Sequence, residues 1–243
     1  MTQIIAHRGF SGLYPENTML AFQKAVELGV DGIELDVHLS RDGEVVIAHD
    51  ETLRRVAGMN QSIAELSARE LAQVEVHGGE MGLCERGVPT LRAYLAYIQD
   101  KAVFTNIELK TGAIRYAGIE EKTMALIDEF GLRSRVLFSS FNHRSLTEIH
   151  RIAPEMGCAC LVMCHLERAG AYARERGFSW VNPHYTFMNE ETLAELNAEG
   201  VGAQVWTVDD EARARWLCEH DVYAIITNRP DVALRVRKEV QGR

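Results

Sequence analysis

The feature that most constrains this chain is a repeat of short apolar runs, strand-like in residue type, separated by segments with helical periodicity. Such runs end at His7 and His38 and recur at Val103–Leu109, Val136–Ser140, Cys158–Val162, Trp180–Val181, Gly202–Trp206 and Ala224–Thr227. Helical patterns lie between them, for example at Tyr116–Phe130, Arg144–Ile152, Glu190–Glu199 and Glu211–Glu219. Strand–helix alternation specifies parallel strands, because a parallel neighbour can be reached only by a long crossover. Eight such units in 243 residues suggest an α/β fold closed as a (β/α)8 TIM barrel. No linker-like break in composition appears, so residues 1–243 read as one domain.

The opening units are the most regular. Asn17 or Thr18 can cap a first helix whose apolar face is Ala21, Phe22, Ala25 and Val26, and Gly29 ends it. Across Asp31–His38 the alternation is strict: Ile33, Leu35 and Val37 point one way, Glu34, Asp36 and His38 the other. A further run, Glu44–Ala48, leads to His49. Residues 51–90 then break the rhythm. Ser67 and Glu70 have capping-box spacing for a short helix, and HGGEMGLCERG after it reads as a polar, glycine-rich loop. It lacks the Lys-Ser/Thr ending of a phosphate-binding loop.

Composition excludes some functions. A net charge of −9 argues against a general nucleic-acid binder, which would need a basic face, so no nucleic acid is expected as a partner. An anionic substrate would have to be held by local positive charge against the global field. The five cysteines form no paired framework and read as reduced thiols. Cys158, Cys160, Cys164 and His165 could form a soft-metal site, but CACLVMC also reads as a buried strand in which cysteine packs as a small hydrophobe. The N-terminus shows no secretion signal and no apolar run long enough for a bilayer, so a cytoplasmic protein without stable membrane association is expected.

A closed barrel carries its reactive groups at the C-terminal ends of its strands. His7, Glu34, Asp36 and Glu108 stand at such ends. In the third strand Phe104, Asn106, Glu108 and Lys110 share a face, so Glu108 can point inward beside Glu34 and Asp36. Three carboxylates at one mouth repel each other unless a cation joins them, and hard oxygen ligands favour Mg²⁺ or Ca²⁺. The plainer alternative is that each acid is solvated or paired with lysine. His7 and His49 accompany them; one histidine alone is more often structural, yet two could remove and deliver protons near neutral pH. Arg8 and Lys110 offer local positive charge, or merely a solvated surface. Phe141 and Trp206 can wall a pocket or serve as ordinary packing.

Taken together, these residues resemble the glycerophosphodiester phosphodiesterase family, in particular its short cytosolic bacterial members. The matching motifs are His7-Arg8-Gly9, Pro15-Glu16-Asn17-Thr18, Glu34-Leu35-Asp36-Val37, Asp42-Gly43, His49-Asp50, Glu108-Leu109-Lys110, Ser139-Ser140-Phe141 and Trp206-Thr207-Val208, in the family's order. The resemblance implies a (β/α)8 barrel with a small insertion after the second strand, here about residues 40–88. It also implies metal-dependent hydrolysis of a small-molecule glycerophosphodiester to glycerol 3-phosphate and an alcohol. Glu34, Asp36 and Glu108 match the family's metal ligands, His7 and His49 its acid–base pair, and Arg8 and Lys110 its phosphate-binding positions. The chain departs from the pattern at Asp209, where the family often has Asn, at Asn228, where it often has Asp, and at Arg55-Val56-Ala57.

The expected chemistry has His7 as base on the attacking oxygen and His49 as acid on the departing alkoxide, the attacker being water or the glycerol hydroxyl. Rival readings are a lysophospholipase D-like enzyme on lipid diesters, a non-catalytic metal- or phosphometabolite-binding barrel, and a metal-dependent barrel lyase acting on a carbonyl substrate. The first needs a membrane anchor that the sequence lacks. The second leaves a pair of histidines beside the acids without a task.

Overall fold

The computed structural model describes residues 1–242. In chain order its elements are β1 (Gln3–His7), α1 (Met19–Leu28), β2 (Gly32–Leu39), β3 (Val45–Ile47), α2 (Arg54–Ala57), α3 (Ala68–Leu71), β4 (Glu75–Gly78), β5 (Leu83–Arg86) and α4 (Leu91–Ile98). There follow β6 (Phe104–Leu109), α5 (Ile119–Glu129), β7 (Val136–Ser140), α6 (His143–Ile152), β8 (Gly157–Val162), α7 (Ala169–Glu175) and β9 (Trp180–Pro183). The chain continues through α8 (Glu190–Ala198), β10 (Gly202–Val205), α9 (Glu211–Glu219), β11 (Ala224–Thr227) and α10 (Pro230–Gln241).

Eight strands run parallel in the order β1-β2-β6-β7-β8-β9-β10-β11, and β11 pairs back with β1. This is the closed (β/α)8 barrel that the alternation predicts. Local chemistry sets the first unit: Thr18 Oγ1 accepts the Ala21 N–H, and Gly29 ends α1 at φ 83°. The main core lies between the outer face of the barrel and the helices, where Ile33, Leu35, Val37, Ile107 and Phe138 meet Phe22, Tyr94 and Ile127.

Inside the barrel the N-terminal end is plugged by aromatics. A Cβ on Gly32 would lie 2.5 Å from the Phe104 ring, and one on Gly157 or Gly202 would lie 2.7 Å from the Trp180 ring. Glycine is therefore required where those rings lie against the wall. Above them Ile5, Ala224 and Ile226 pack together, and the inward positions nearer the C-terminal mouth are left to polar residues. No helix among the described residues is long and apolar enough to cross a membrane.

Between β2 and α4 the chain leaves the barrel rhythm. β3 pairs antiparallel with the end of β2, and Val46, Leu53, Ile63, Leu71, Val74, Val76 and Val88 form a separate apolar cluster. The capping box of Ser67 and Glu70 forms as its spacing predicts. The glycine-rich stretch, expected to be a loop, is instead a β4–β5 hairpin. β5 is mostly exposed, so no apolar alternation advertises it. The turn uses Gly79 and Gly82 at φ 73° and 62°, and Gly79 meets the Leu13 backbone so closely that a Cβ would sit 2.3 Å from its carbonyl oxygen. One helix is also shorter than its pattern. The segment expected from Tyr116 begins at Ile119 behind Gly118 at φ 78°, and Tyr116 is buried outside the helix.

Candidate active site

Strand register brings the acids together. β1 and β2 align His7 with Glu34, and β2 and β6 align Asp36 with Glu108. Because side chains alternate, Glu34, Asp36 and Glu108 all enter the barrel mouth, each at most 8% exposed. One ligand oxygen from each lies within 4.8 Å of the others.

The electrostatics of this trio are unbalanced by its own charges. Burial and the neighbouring Asp36 and Glu108 charges push the Glu34 carboxyl well above its ordinary range. Burial and Asp36 push Glu108 up to about 7. Asp36 goes the other way: burial opposes ionisation, but Arg8 and Lys110 outweigh it and hold the carboxyl far below its usual range. Lys110 Nζ lies 2.9 Å from Glu108 and 3.7 Å from Asp36. Burial disfavours its charge, yet those two acids raise it to about 12. Asn17 Nδ2 donates to Asp36 Oδ2 at 2.8 Å, while Asp36 Oδ1 is buried without a hydrogen-bond partner. Three convergent carboxylates, one of them with an oxygen that no hydrogen bond uses, and two carboxyls that resist ionisation fit a hard divalent cation.

Arg8 ties this trio to its surroundings. Its backbone N–H donates to Glu34 at 3.0 Å, its Nε lies 3.4 Å from Asp36, and its Nη1 donates to Glu16 at 2.9 Å. Glu16 also receives two hydrogen bonds from Arg55, at 2.6 and 2.7 Å. Arg55 Nε donates in turn to Asp50 at 2.8 Å, and Asp50 accepts from His49 Nδ1 at 2.6 Å. A continuous ionic chain thus runs from Arg8 to His49.

The two histidines are oriented from opposite sides. His7 Nδ1 is 2.6 Å from Asn228 Oδ1, and Asn228 Nδ2 is committed to Asp209 at 2.7 Å. The amide oxygen therefore faces the ring, Nδ1 carries the proton, and Nε2 is the free acceptor, 4.0 Å from Glu34. Burial and the Arg8 charge push His7 down to about 4. Behind His49, His38 Nε2 donates to the His49 carbonyl at 3.1 Å and its Nδ1 accepts from Tyr116 Oη at 3.0 Å.

One cavity joins His7, Arg8, His49, Glu34 and Glu108 to Asn106, Ser139, Phe141, Leu161, Trp206 and Ile226. Phe141 and Trp206 meet edge to face with centroids 5.5 Å apart, and Trp206 Nε1 donates to the Asn182 carbonyl at 2.7 Å. Lys110 stands beside this cavity through Glu108. All nine residues singled out from sequence thus gather at one mouth. Sequence reasoning assigned no role to Glu16, Asp50, Arg55, His38, Tyr116, Asp209 or Asn228. Most of these lie in quoted motifs or at noted departures, but their contacts span up to 221 positions of chain. The soft-metal alternative does not form. Cys158 and Cys160 are buried in the core while Cys164 is exposed, and among the described residues the carboxylate trio is the one group of potential ligands that converges.

Comparison with known proteins places the chain in a family. A protein named glycerophosphodiester phosphodiesterase from Caldanaerobacter subterraneus subsp. tengcongensis is 37% identical over 240 residues, covering 98% of each chain. One of the same name from Bacillus altitudinis is 35% identical over 247 residues, covering 99% of this chain and 100% of its own. A phosphodiesterase of Oleispira antarctica, solved in complex with the product sn-glycerol-3-phosphate, superposes with a TM-score of 0.84 at 28% identity, over 97% of this chain and 96% of that one. Residues 7–232 match the profile of the glycerophosphoryl diester phosphodiesterase family, and the chain belongs to that family.

Proposed function

We propose that this protein hydrolyses glycerophosphodiesters to sn-glycerol 3-phosphate and an alcohol, using a divalent cation and the histidine pair. The observation that carries the reading is the convergence of Glu34, Asp36 and Glu108 with His7, Arg8 and Lys110 at one barrel mouth. Glu34, Asp36 and Glu108 would hold the cation, Mg²⁺ or Ca²⁺, which supplies Lewis-acid stabilisation of charge at phosphorus. Arg8 and Lys110 would bind the phosphoryl oxygens, Arg8 through a fork and Lys110 as a point charge.

His7 presents an unprotonated Nε2, because its Nδ1–H is taken by Asn228. It accepts the proton of the attacking hydroxyl. His49 acts as the imidazolium: one proton, on Nδ1, is held by Asp50, and the other, on Nε2, goes to the leaving alkoxide. Phe141 and Trp206 shield the reacting bond from bulk water and line the space for substrate. In this reading residues 1–243 work as one catalytic unit in the cytoplasm, and the insertion at about 40–88 contributes His49. The test is a panel of glycerophosphodiesters assayed for glycerol 3-phosphate release, with and without chelator. Release that chelation stops and added cation restores is expected; no release from any member of the panel overturns the reading.

A further inference from the structure

The inner floor of the cavity holds polar groups that the chemistry above does not use. Asn106 is fully buried, yet neither its Oδ1 nor its Nδ2 has a hydrogen-bond partner. Ser139 is 1% exposed and its Oγ is likewise unpaired. Both line the cavity. Register places Asn106 beside Glu34 and Ser139 beside Glu108, so the two flank the inner side of the carboxylate trio.

An unsatisfied buried amide is costly, and native interiors almost always pair such groups with protein, water or ligand. Here an amide and a hydroxyl face the inner part of a cavity whose whole volume, carboxylates included in its lining, is about 40 Å³. That is room for about three waters, at roughly 10–15 Å³ each. Leu161, Ile226 and Trp206 give the same space apolar sides. A small floor with an amide and a hydroxyl, apolar walls, and cationic groups at its rim matches one ligand chemistry: a short polyol joined to a phosphate.

We infer that Asn106 and Ser139 are the specificity-determining residues for the polyol end of the substrate, hydrogen-bonding its hydroxyls at the barrel floor. This rests on the proposed diesterase function and adds only which side-chain atoms hold the glycerol end. The alcohol end lies away from this floor and makes no contact with either residue.

The test compares two diesters of the same alcohol, one of glycerol and one of propane-1,2-diol. The second keeps the hydroxyl next to the phosphate ester and lacks only the terminal one, so any attack by that neighbouring hydroxyl is preserved. The intact protein is expected to favour the glycerol diester in kcat/KM by roughly tenfold or more, since a site built around a hydroxyl is left unpaired without it. In Asn106→Ser and Ser139→Ala the preference should shrink to within about threefold, as for the loss of a single neutral hydrogen bond. Ser139→Thr, which keeps a hydroxyl, should retain it. Calorimetry of sn-glycerol 3-phosphate against propane-1,2-diol phosphate gives the same comparison without turnover, and thermal melts report whether each variant is folded. Because Ser139→Ala is the gentler change, it carries the test if Asn106→Ser does not fold. No preference in the wild-type protein overturns the inference. So does a folded variant that weakens cation binding or slows both diesters equally while the preference persists, because these groups would then support the carboxylates. Failure of the wild-type protein to cleave either diester instead strikes the proposed function itself.

Discussion

His7 Nδ1 and Asn228 Oδ1, 221 positions apart in the chain, are joined at 2.6 Å where the first and last barrel strands meet. The bond settles a tautomer. Asp209 takes both the side-chain and backbone N–H of Asn228, at 2.7 and 2.8 Å, so the amide cannot turn its nitrogen toward the ring. Ser11 Oγ lies 2.8 Å from the same amide oxygen and 2.7 Å from the His7 carbonyl, with one proton to share between them.

Asn228→Ala should therefore lower kcat by about tenfold or more with little change in KM, a part of the 10²–10⁴-fold that a general base contributes. Asp209→Asn, which keeps hydrogen-bonding capacity, should be milder. Nitrogen NMR of the His7 ring checks the cause: Nδ1 carries the proton in the wild-type protein, and the Asn228→Ala spectrum should show a mixture of tautomers. An unchanged kcat in a folded Asn228→Ala variant would remove Asn228 from the positioning of His7.

The carboxylate trio predicts how stability depends on pH without a cation. Glu34 and Glu108 have carboxyls raised above their unfolded values, Glu108 to about 7. Their contribution is fully present below the unfolded value and is lost as pH rises through the folded one. His7 and His38, both lowered, act in the opposite sense, but their effect is nearly complete about one unit above the unfolded histidine value of roughly 6.5. Asp36, lowered, is constant in this range. Between about pH 7.5 and 8.5 the melting temperature of chelated protein should thus fall by a few degrees, chiefly through Glu34, each kcal/mol being worth about 2–4 °C at this size. Saturating Mg²⁺ or Ca²⁺ should abolish the fall, and Glu34→Gln should weaken that rescue more than it weakens the fold. A chelated protein that gains stability over this interval would contradict the assignment.

What could be read from the chain and what could not divides along contact range. Glu34, Asp36 and Glu108 were legible because period-two alternation is local, and a barrel converts strand ends into one mouth. Asn228 was visible only as a departure from a pattern, since nothing near it shows that barrel closure will set it against His7. Tyr116 looked like the start of a helix; the left-handed Gly118 ends that possibility and frees the ring to reach His38. Arg55 stood in a segment without periodicity, yet it links Glu16 to Asp50. The β4–β5 hairpin escaped because its strands bury almost nothing.

The cysteines give a check on packing that is independent of catalysis. Burial pushes Cys158 and Cys160 up to about 12, and Cys218 is also raised by burial. Since the thiolate is the reactive form, these three should resist alkylation in the native protein at pH 8. Cys84 and Cys164 are exposed and should react. Intact mass after iodoacetamide should show two adducts on folded protein and five after denaturation. Ready modification of Cys158 or Cys160 in the native state would mean that β8 is not packed as described.

The histidine pair makes the most discriminating prediction, because the two rings are assigned opposite duties. His49, backed by Asp50 and by the His38 bond to its carbonyl, is assigned to protonate the leaving alkoxide. That proton matters when the alcohol is a poor leaving group and hardly at all when it is an activated phenol. His49→Ala should therefore depress kcat by roughly 10²–10⁴-fold on an alkyl glycerophosphodiester and far less on an aryl phosphodiester. His7 is assigned to the attacking oxygen, which is the same for both substrates, so His7→Ala should slow both. Removing both should cost less than the product of the two single losses, since groups that act as a unit are non-additive. The measurement is kcat for each variant on each substrate, with thermal melts to establish folding. Equal losses on the two substrates in His49→Ala would withdraw the proton-donor role. A folded variant at either position with unchanged rates would take that histidine out of the mechanism.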